Sequence, residues 1–84
     1  METKTVLQGF AIVVLDRGFV YVGDVTCDQD WCVITNAKNI RQWGTTKGLG
    51  ELVTGPTSKT VMDQVGTVRA PMRAVISIIE AKWT

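Results

Sequence analysis

The chain has 84 residues, enough for one small domain and too few for two. Nine basic and eight acidic side chains give a formal net charge of +1, with four basic and five acidic residues in the first half (1–42) and five and three in the second (43–84). Neither half carries the basic excess of a duplex nucleic-acid binder, and no apolar run approaches the ~20 residues of a membrane-spanning helix.

The chain opens Met1-Glu2-Thr3-Lys4-Thr5, which is not a basic leader, and no small-residue cleavage pattern follows the run Phe10–Leu15. The expected compartment is therefore the cytoplasm. Cys27 and Cys32 are far fewer cysteines than a disulfide-built secreted framework uses, and they read as reduced thiols.

Gln8–Leu15 (QGFAIVVL) is rich in β-branched residues and too short for a core helix, so it predicts a strand. Asp16-Arg17-Gly18 is a three-residue hairpin loop whose glycine can take the left-handed conformation. Phe19–Thr26 is the returning strand. Cys27-Asp28-Gln29-Asp30 predicts a second turn. Trp31–Asn36 predicts a third strand, running on through Ala37 to Trp43 with a bend near Asn36 or Asn39. Gly44-Thr45-Thr46-Lys47-Gly48 is a loop, and Leu49–Val53 is a helical turn stopped by Gly55-Pro56. Val65–Arg69 predicts a short strand that Pro71 ends or holds at a sheet edge. Arg73–Ala81 is the last strand.

The fold class expected is mainly β: a small five-stranded β-barrel or sandwich of SH3-like size with one short helical turn. In the first strand Phe10, Ile12 and Val14 share one face, and Ala11, Val13 and Leu15 share the other. The last strand is likewise apolar on both faces. A sheet with one wet face alternates instead. Such a strand needs either a covering segment within the chain or a second subunit, and the reading favours a homo-oligomer. Trp83, after Lys82, is expected to dock on a neighbouring surface of its own or another subunit.

There is no histidine in the sequence, which removes the usual general base and the common nucleophile pairs and leaves two cysteines unable to close a zinc site. The expectation is a non-enzyme without cofactor. Cys27 and Cys32 are spaced C-x4-C rather than the C-x-x-C of redox motifs. Asp24, Asp28 and Asp30 supply oxygen ligands around a turn but lack the spacing of a calcium loop. The loop from Gly44 to Gly50 offers backbone amides, threonine hydroxyls and Lys47 to a phosphate, without the order of a phosphate-binding P-loop. Lys38, Arg41 and Trp43 set cations beside an aromatic ring, an arrangement suited to stacking a base and holding its phosphate. The same residue types are enriched at subunit interfaces. The candidate ligand-binding set is Lys38, Arg41, Trp43, Thr45, Thr46 and Lys47.

The segments VGDV, CVITNAKNIRQW, LGELVTG and VISIIE together resemble a family of short uncharacterised proteins carried by phages and prophages. The matching positions are Asn36, Ala37, Lys38, Ile40, Trp43, Leu49, Leu52, Gly55, Ile78 and Ile79, within residues 19–80. The sequence departs from the family pattern at Lys38-Asn39, where two basic residues are usual, and at Pro71. The resemblance implies a phage origin and no particular activity. Together these features lead to the expectation of a phage accessory protein that self-assembles and acts by binding. Its partner would be a nucleotide signal or a host defence protein. The alternatives are a structural or scaffold oligomer with no ligand, and a nucleic-acid-binding module, which the near-zero net charge disfavours.

Overall fold

A computed structural model of the chain describes residues 7–83. Five strands form one antiparallel sheet: β1 Leu7–Leu15, β2 Val20–Cys27, β3 Trp31–Gln42, β4 Val61–Pro71 and β5 Val75–Glu80. The sheet order is β4-β3-β2-β1-β5. The first four strands are therefore a meander, and β5 returns to pair with β1. Three 3-10 segments join them: η1 Asp16–Gly18, η2 Leu49–Thr54 and η3 Met72–Ala74.

The expected mainly-β class with five strands and a helical turn is present, but neither a closed barrel nor a two-sheet sandwich forms. β4 and β5 are the two free edges of a single open sheet. Burial nevertheless occurs on both sides. On the inner face, Ala11, Val13, Leu15, Val25, Cys27, Cys32, Ile34, Ala37 and Ala70 form one buried cluster, with Val68, Met72, Val75 and Ile78 packed against it. All five strands contribute to that cluster, so the sheet curls around it. On the outer face, Ile12, Val20, Val22 and Ile40 are roofed by Leu49 and Leu52 of η2, with Phe10 and Trp83 at the margin. The two-faced pattern of β1 is thus satisfied inside one chain, since Ile12 and Val13 are both fully buried on opposite faces. The covering segment, rather than a second subunit, answers that pattern for β1.

One irregularity makes this arrangement possible. Val22 pairs with Lys38, but Asp24 pairs with Thr35, so Gly23 lies opposite the two residues Asn36 and Ala37. Asn36 has φ +51, the left-handed region that asparagine tolerates better than most residues. This is a β-bulge, and it resets the alternation of β3. Cys32 and Ile34 point inward before it and Ala37 points inward after it, while Ile40 joins the outer cluster. Gly23 is required here, because a Cβ would stand 2.7 Å from the Thr35 carbonyl oxygen. The bend expected near Asn36 or Asn39 is at Asn36.

Other boundaries differ from the sequence expectation for local reasons. The β1–β2 loop is Asp16–Gly18 as expected, with Gly18 at φ +82 and Arg17 also left-handed. Cys27 is the last residue of β2 rather than part of the turn. β4 begins at Val61, four residues earlier than expected, because an edge strand needs little hydrophobic alternation and Asp63, Gln64 and Gly66 stay exposed. Pro71 does sit at the end of that edge strand, opposite Trp31. The last strand starts at Val75 instead of Arg73, since Met72–Ala74 turns after the proline. No helix among the described residues is long and apolar enough to cross a membrane.

Candidate functional site

The outer face is incompletely roofed. Beyond the edge of η2 a hollow of about 310 Å³ remains, lined by Phe10, Val22, Asp24, Asn36, Lys38 and Trp83. Its floor comes from three adjacent strands. Phe10 of β1 pairs with Asp24 of β2, and Val22 of β2 pairs with Lys38 of β3. The even positions of β1 and β2 face outward, and the bulge at Asn36 puts Lys38 on the same side as Ile40. Were Asn36 paired regularly instead of bulged, the alternation of β3 would send Lys38 into the apolar inner cluster.

The wall of the hollow is the C-terminal segment. The Ala81 amide donates to the Phe10 carbonyl at 3.1 Å and the Lys82 amide to the Val53 carbonyl at 2.8 Å. The indole Nε1–H of Trp83 donates to the Leu52 carbonyl at 2.6 Å. The Trp83 ring lies tilted against Phe10, with centroids 5.4 Å apart and planes at 56°, a favourable edge-to-face type of contact. Trp83 therefore docks on its own subunit, one of the two outcomes the sequence allowed. The hollow combines an aromatic pair, one ammonium, one amide and one carboxylate. No general acid–base pair or activated nucleophile lines it.

The sequence-selected residues fall into separate local arrangements. Lys38 lines the hollow. Arg41 instead forms an exposed ion pair with Asp63 of β4, at a second bulge where Ile40 pairs with Met62 and Gln42 with Val61. Trp43 lies beyond the end of β3, so it shares no strand face with Arg41. Its carbonyl accepts the Thr60 hydroxyl at 2.7 Å and its ring stays 42% exposed. Thr45 is half-buried in the loop that follows.

The amides of Thr46 and Lys47 do converge on an anion, but that anion is internal. Both donate to Glu51 Oε2, at 3.2 and 3.0 Å, and the Thr46 hydroxyl stands 3.5 Å from the same oxygen. The donors expected to meet a phosphate are taken by a carboxylate four and five residues downstream. The loop's base is equally determined. Gly44 (φ +67) lies so close to the Lys59 backbone that any Cβ would collide with it. The Thr57 hydroxyl bonds the Gly44 carbonyl at 2.6 Å.

The aspartates near the second turn also separate. Asp28 Oδ1 accepts the amides of Asp30 and Trp31, each at 2.7 Å, and these two hydrogen bonds hold its carboxyl below the usual aspartate range. Asp24 faces the hollow instead. Among the described residues no three histidine, cysteine or acidic side chains gather as a metal site.

Sequence reading found Lys38 but missed Phe10, Asn36 and Trp83 as partners, and it weighed Asp24 only as a metal ligand. The signal that joins them is strand parity corrected for the bulge, and the bulge is visible only as an asparagine facing a glycine across two strands. No family model, curated protein or solved structure matches the chain. The class that fold and site define is a single-sheet, all-β module with a small mixed-polarity hollow on its outer face.

Proposed function

We propose that the protein is a non-enzymatic phage accessory protein that binds a small aromatic anion of nucleotide type in the outer-face hollow. The observation that carries this reading is the convergence of the Phe10–Trp83 pair with Lys38, Asn36 and Asp24 around one space. Its volume, about 310 Å³, is at the small end of ligand-binding clefts. A base can lie against the aromatic pair, with its polar edge read by the Asn36 amide and the Asp24 carboxylate. The Lys38 ammonium then meets a phosphate as a point charge. The phage assignment rests on the sequence resemblance. The cytoplasm of the host is the compartment where such a ligand and a host defence partner would be met.

The test is calorimetric titration with a panel of linear and cyclic nucleotides. Lys38→Ala is expected to weaken the best ligand at least ~10-fold, equivalent to the loss of one charge-assisted contact. Asn36→Gly keeps the left-handed backbone and removes only the amide, so it is expected to weaken binding by a smaller factor. Absence of nucleotide binding at millimolar concentration, or unchanged affinity in Lys38→Ala, rejects the reading.

A second reading, a structural homo-oligomer without ligand, is favoured by a different observation. Phe19, Trp31, Trp43, Val65 and Ile76 are large apolar side chains left exposed, and both sheet edges are unpaired. Such edges and side chains suit association with further copies. Native mass spectrometry separates the two: a defined oligomer with no added mass supports the structural reading, and added mass of nucleotide size supports the binding reading.

A further inference from the structure

Cys27 and Cys32 are used by neither reading. They are register partners across the β2–β3 hairpin, at the last pair before the turn. The Asp28 amide donates to the Trp31 carbonyl at 2.9 Å, so Asp28 and Trp31 are the hydrogen-bonded pair that closes the hairpin. Cys27 and Cys32, one step further in, then occupy a non-hydrogen-bonded position, where opposing side chains approach most closely. Their Sγ atoms are 3.0 Å apart, in hydrogen-bond contact, and both residues are 0% exposed.

We propose that Cys27 and Cys32 form a reversible cross-strand disulfide whose formation is gated by local opening of the β2–β3 hairpin. The bond needs the two sulfurs to come closer by only about 1 Å, given a sulfur–sulfur length of roughly 2.05 Å. The oxidant is a small disulfide such as oxidised glutathione. One cysteine thiolate attacks it, expelling a glutathione thiolate and leaving a mixed disulfide. The second cysteine thiolate then displaces the remaining glutathione. Two protein thiols become one disulfide, and the two electrons and two protons leave on two glutathione thiols.

Burial explains both the gate and the product. Desolvation, reinforced by the contact with Cys27, pushes the Cys32 thiol up to about 12, so the closed hairpin carries almost no reactive thiolate there. Reaction therefore passes through the opened turn. Once a glutathionyl group is attached, the inner cluster around Cys27 and Cys32 has no room for it, whereas the internal disulfide fits between Ala70, Ile34 and Val25. Reclosure thus selects the intramolecular bond.

The experiment incubates the native protein with a glutathione redox buffer and follows intact mass and alkylation of the unfolded, quenched chain. Expected is a loss of about 2 Da with both thiols protected together, reversed by dithiothreitol. The rate should rise severalfold in urea below the unfolding midpoint, as opening becomes more frequent. In Cys27→Ala the remaining thiol should form no internal bond and acquire glutathione slowly. Stable glutathione adducts on the wild type, covalent dimers, or no reaction overturn the disulfide. A rate indifferent to urea overturns the gate. The wild-type reaction decides the proposal even if the variant fails to fold.

Discussion

The two faces of the sheet solve the same problem differently. The inner face closes by curvature: all five strands place apolar side chains on it, and none of its buried members is polar. The outer face of the same sheet is covered instead by added pieces, η2 and the segment Ala81–Trp83. Curvature leaves little room for anything else. A roof made of separate pieces has a margin, and the mixed-polarity hollow is at that margin. The candidate chemistry thus belongs to the outer face alone, where Trp83 both holds the roof and lines the hollow, whereas the inner face serves stability.

The largest expected effect is on the curved side. Ile34→Ala removes a side chain that is fully buried in the inner cluster and is expected to cost ~2–5 kcal/mol. Urea unfolding measures it. A loss under ~1 kcal/mol would mean that the inner face is not the main source of stability.

Next comes the roof. Trp83→Ala removes the ring against Phe10 and the hydrogen bond to the Leu52 carbonyl. A cost of ~1–3 kcal/mol is expected, less than a fully buried tryptophan because the ring is only half-buried. Trp83→Phe should recover most of the packing and lose mainly the hydrogen bond. If the two variants are equally unstable, the indole donor rather than the ring holds the segment in place.

A smaller effect separates the hollow from the rest of the outer surface. Arg41→Ala breaks an ion pair whose side chains are both about half or more exposed, so the expected change is below ~1 kcal/mol and shrinks with salt. Ligand affinity should be unchanged by it, in contrast to Lys38→Ala. Equal losses of affinity in the two variants would return the site to the Lys38, Arg41 and Trp43 grouping read from the sequence.

The smallest effect concerns pH. The Asp28 carboxyl is lowered in the folded chain by the Trp31 and Asp30 amides. Its contribution is therefore present above the ordinary carboxyl value of 3.8 and is lost as pH falls through the folded value. Asp28→Ala should flatten that acid limb in a pH series of melting temperatures, and an unchanged limb would show that other carboxylates govern it.

Much of this architecture is legible in the sequence where pattern and chemistry agree. β1, its three-residue loop and β2 follow from β-branched runs around Asp16-Arg17-Gly18. The bend in β3 is legible only as a choice between Asn36 and Asn39, which the left-handed Asn36 resolves. β4 is only half legible, because an exposed edge strand can carry Asp63, Gln64 and Gly66 without losing its pairing with β3. The two-faced pattern of β1 allows either a covering segment or a second subunit, with the second subunit favoured, and nothing in Leu49–Val53 states which face it will cover. The site was least legible. Lys38 and Arg41 lie three apart in one strand, yet strand alternation and the irregularity at Ile40–Gln42 give them different surroundings, and Thr46 and Lys47 donate their amides to Glu51. Those are long-range or backbone facts, which residue type and spacing along the chain do not encode.

The bulge at Asn36 behaves toward β3 as a frameshift does toward a message. Upstream of it, even-numbered residues are the dry ones facing inward; downstream, the inward frame passes to odd numbers, beginning with Ala37. A mutational scan of β3 should therefore find charge rejected at Cys32, Ile34 and Ala37 on the inner face and at Ile40 on the outer one. Deleting Asn36 alone would remove the bulge and leave Ala37 inward and Lys38 outward, in unbroken alternation after Ile34, whereas a regular pairing that kept Asn36 would turn Lys38 toward oil and Ala37 toward water. One residue with no apolar surface of its own thus sets the frame in which the second half of the strand is read.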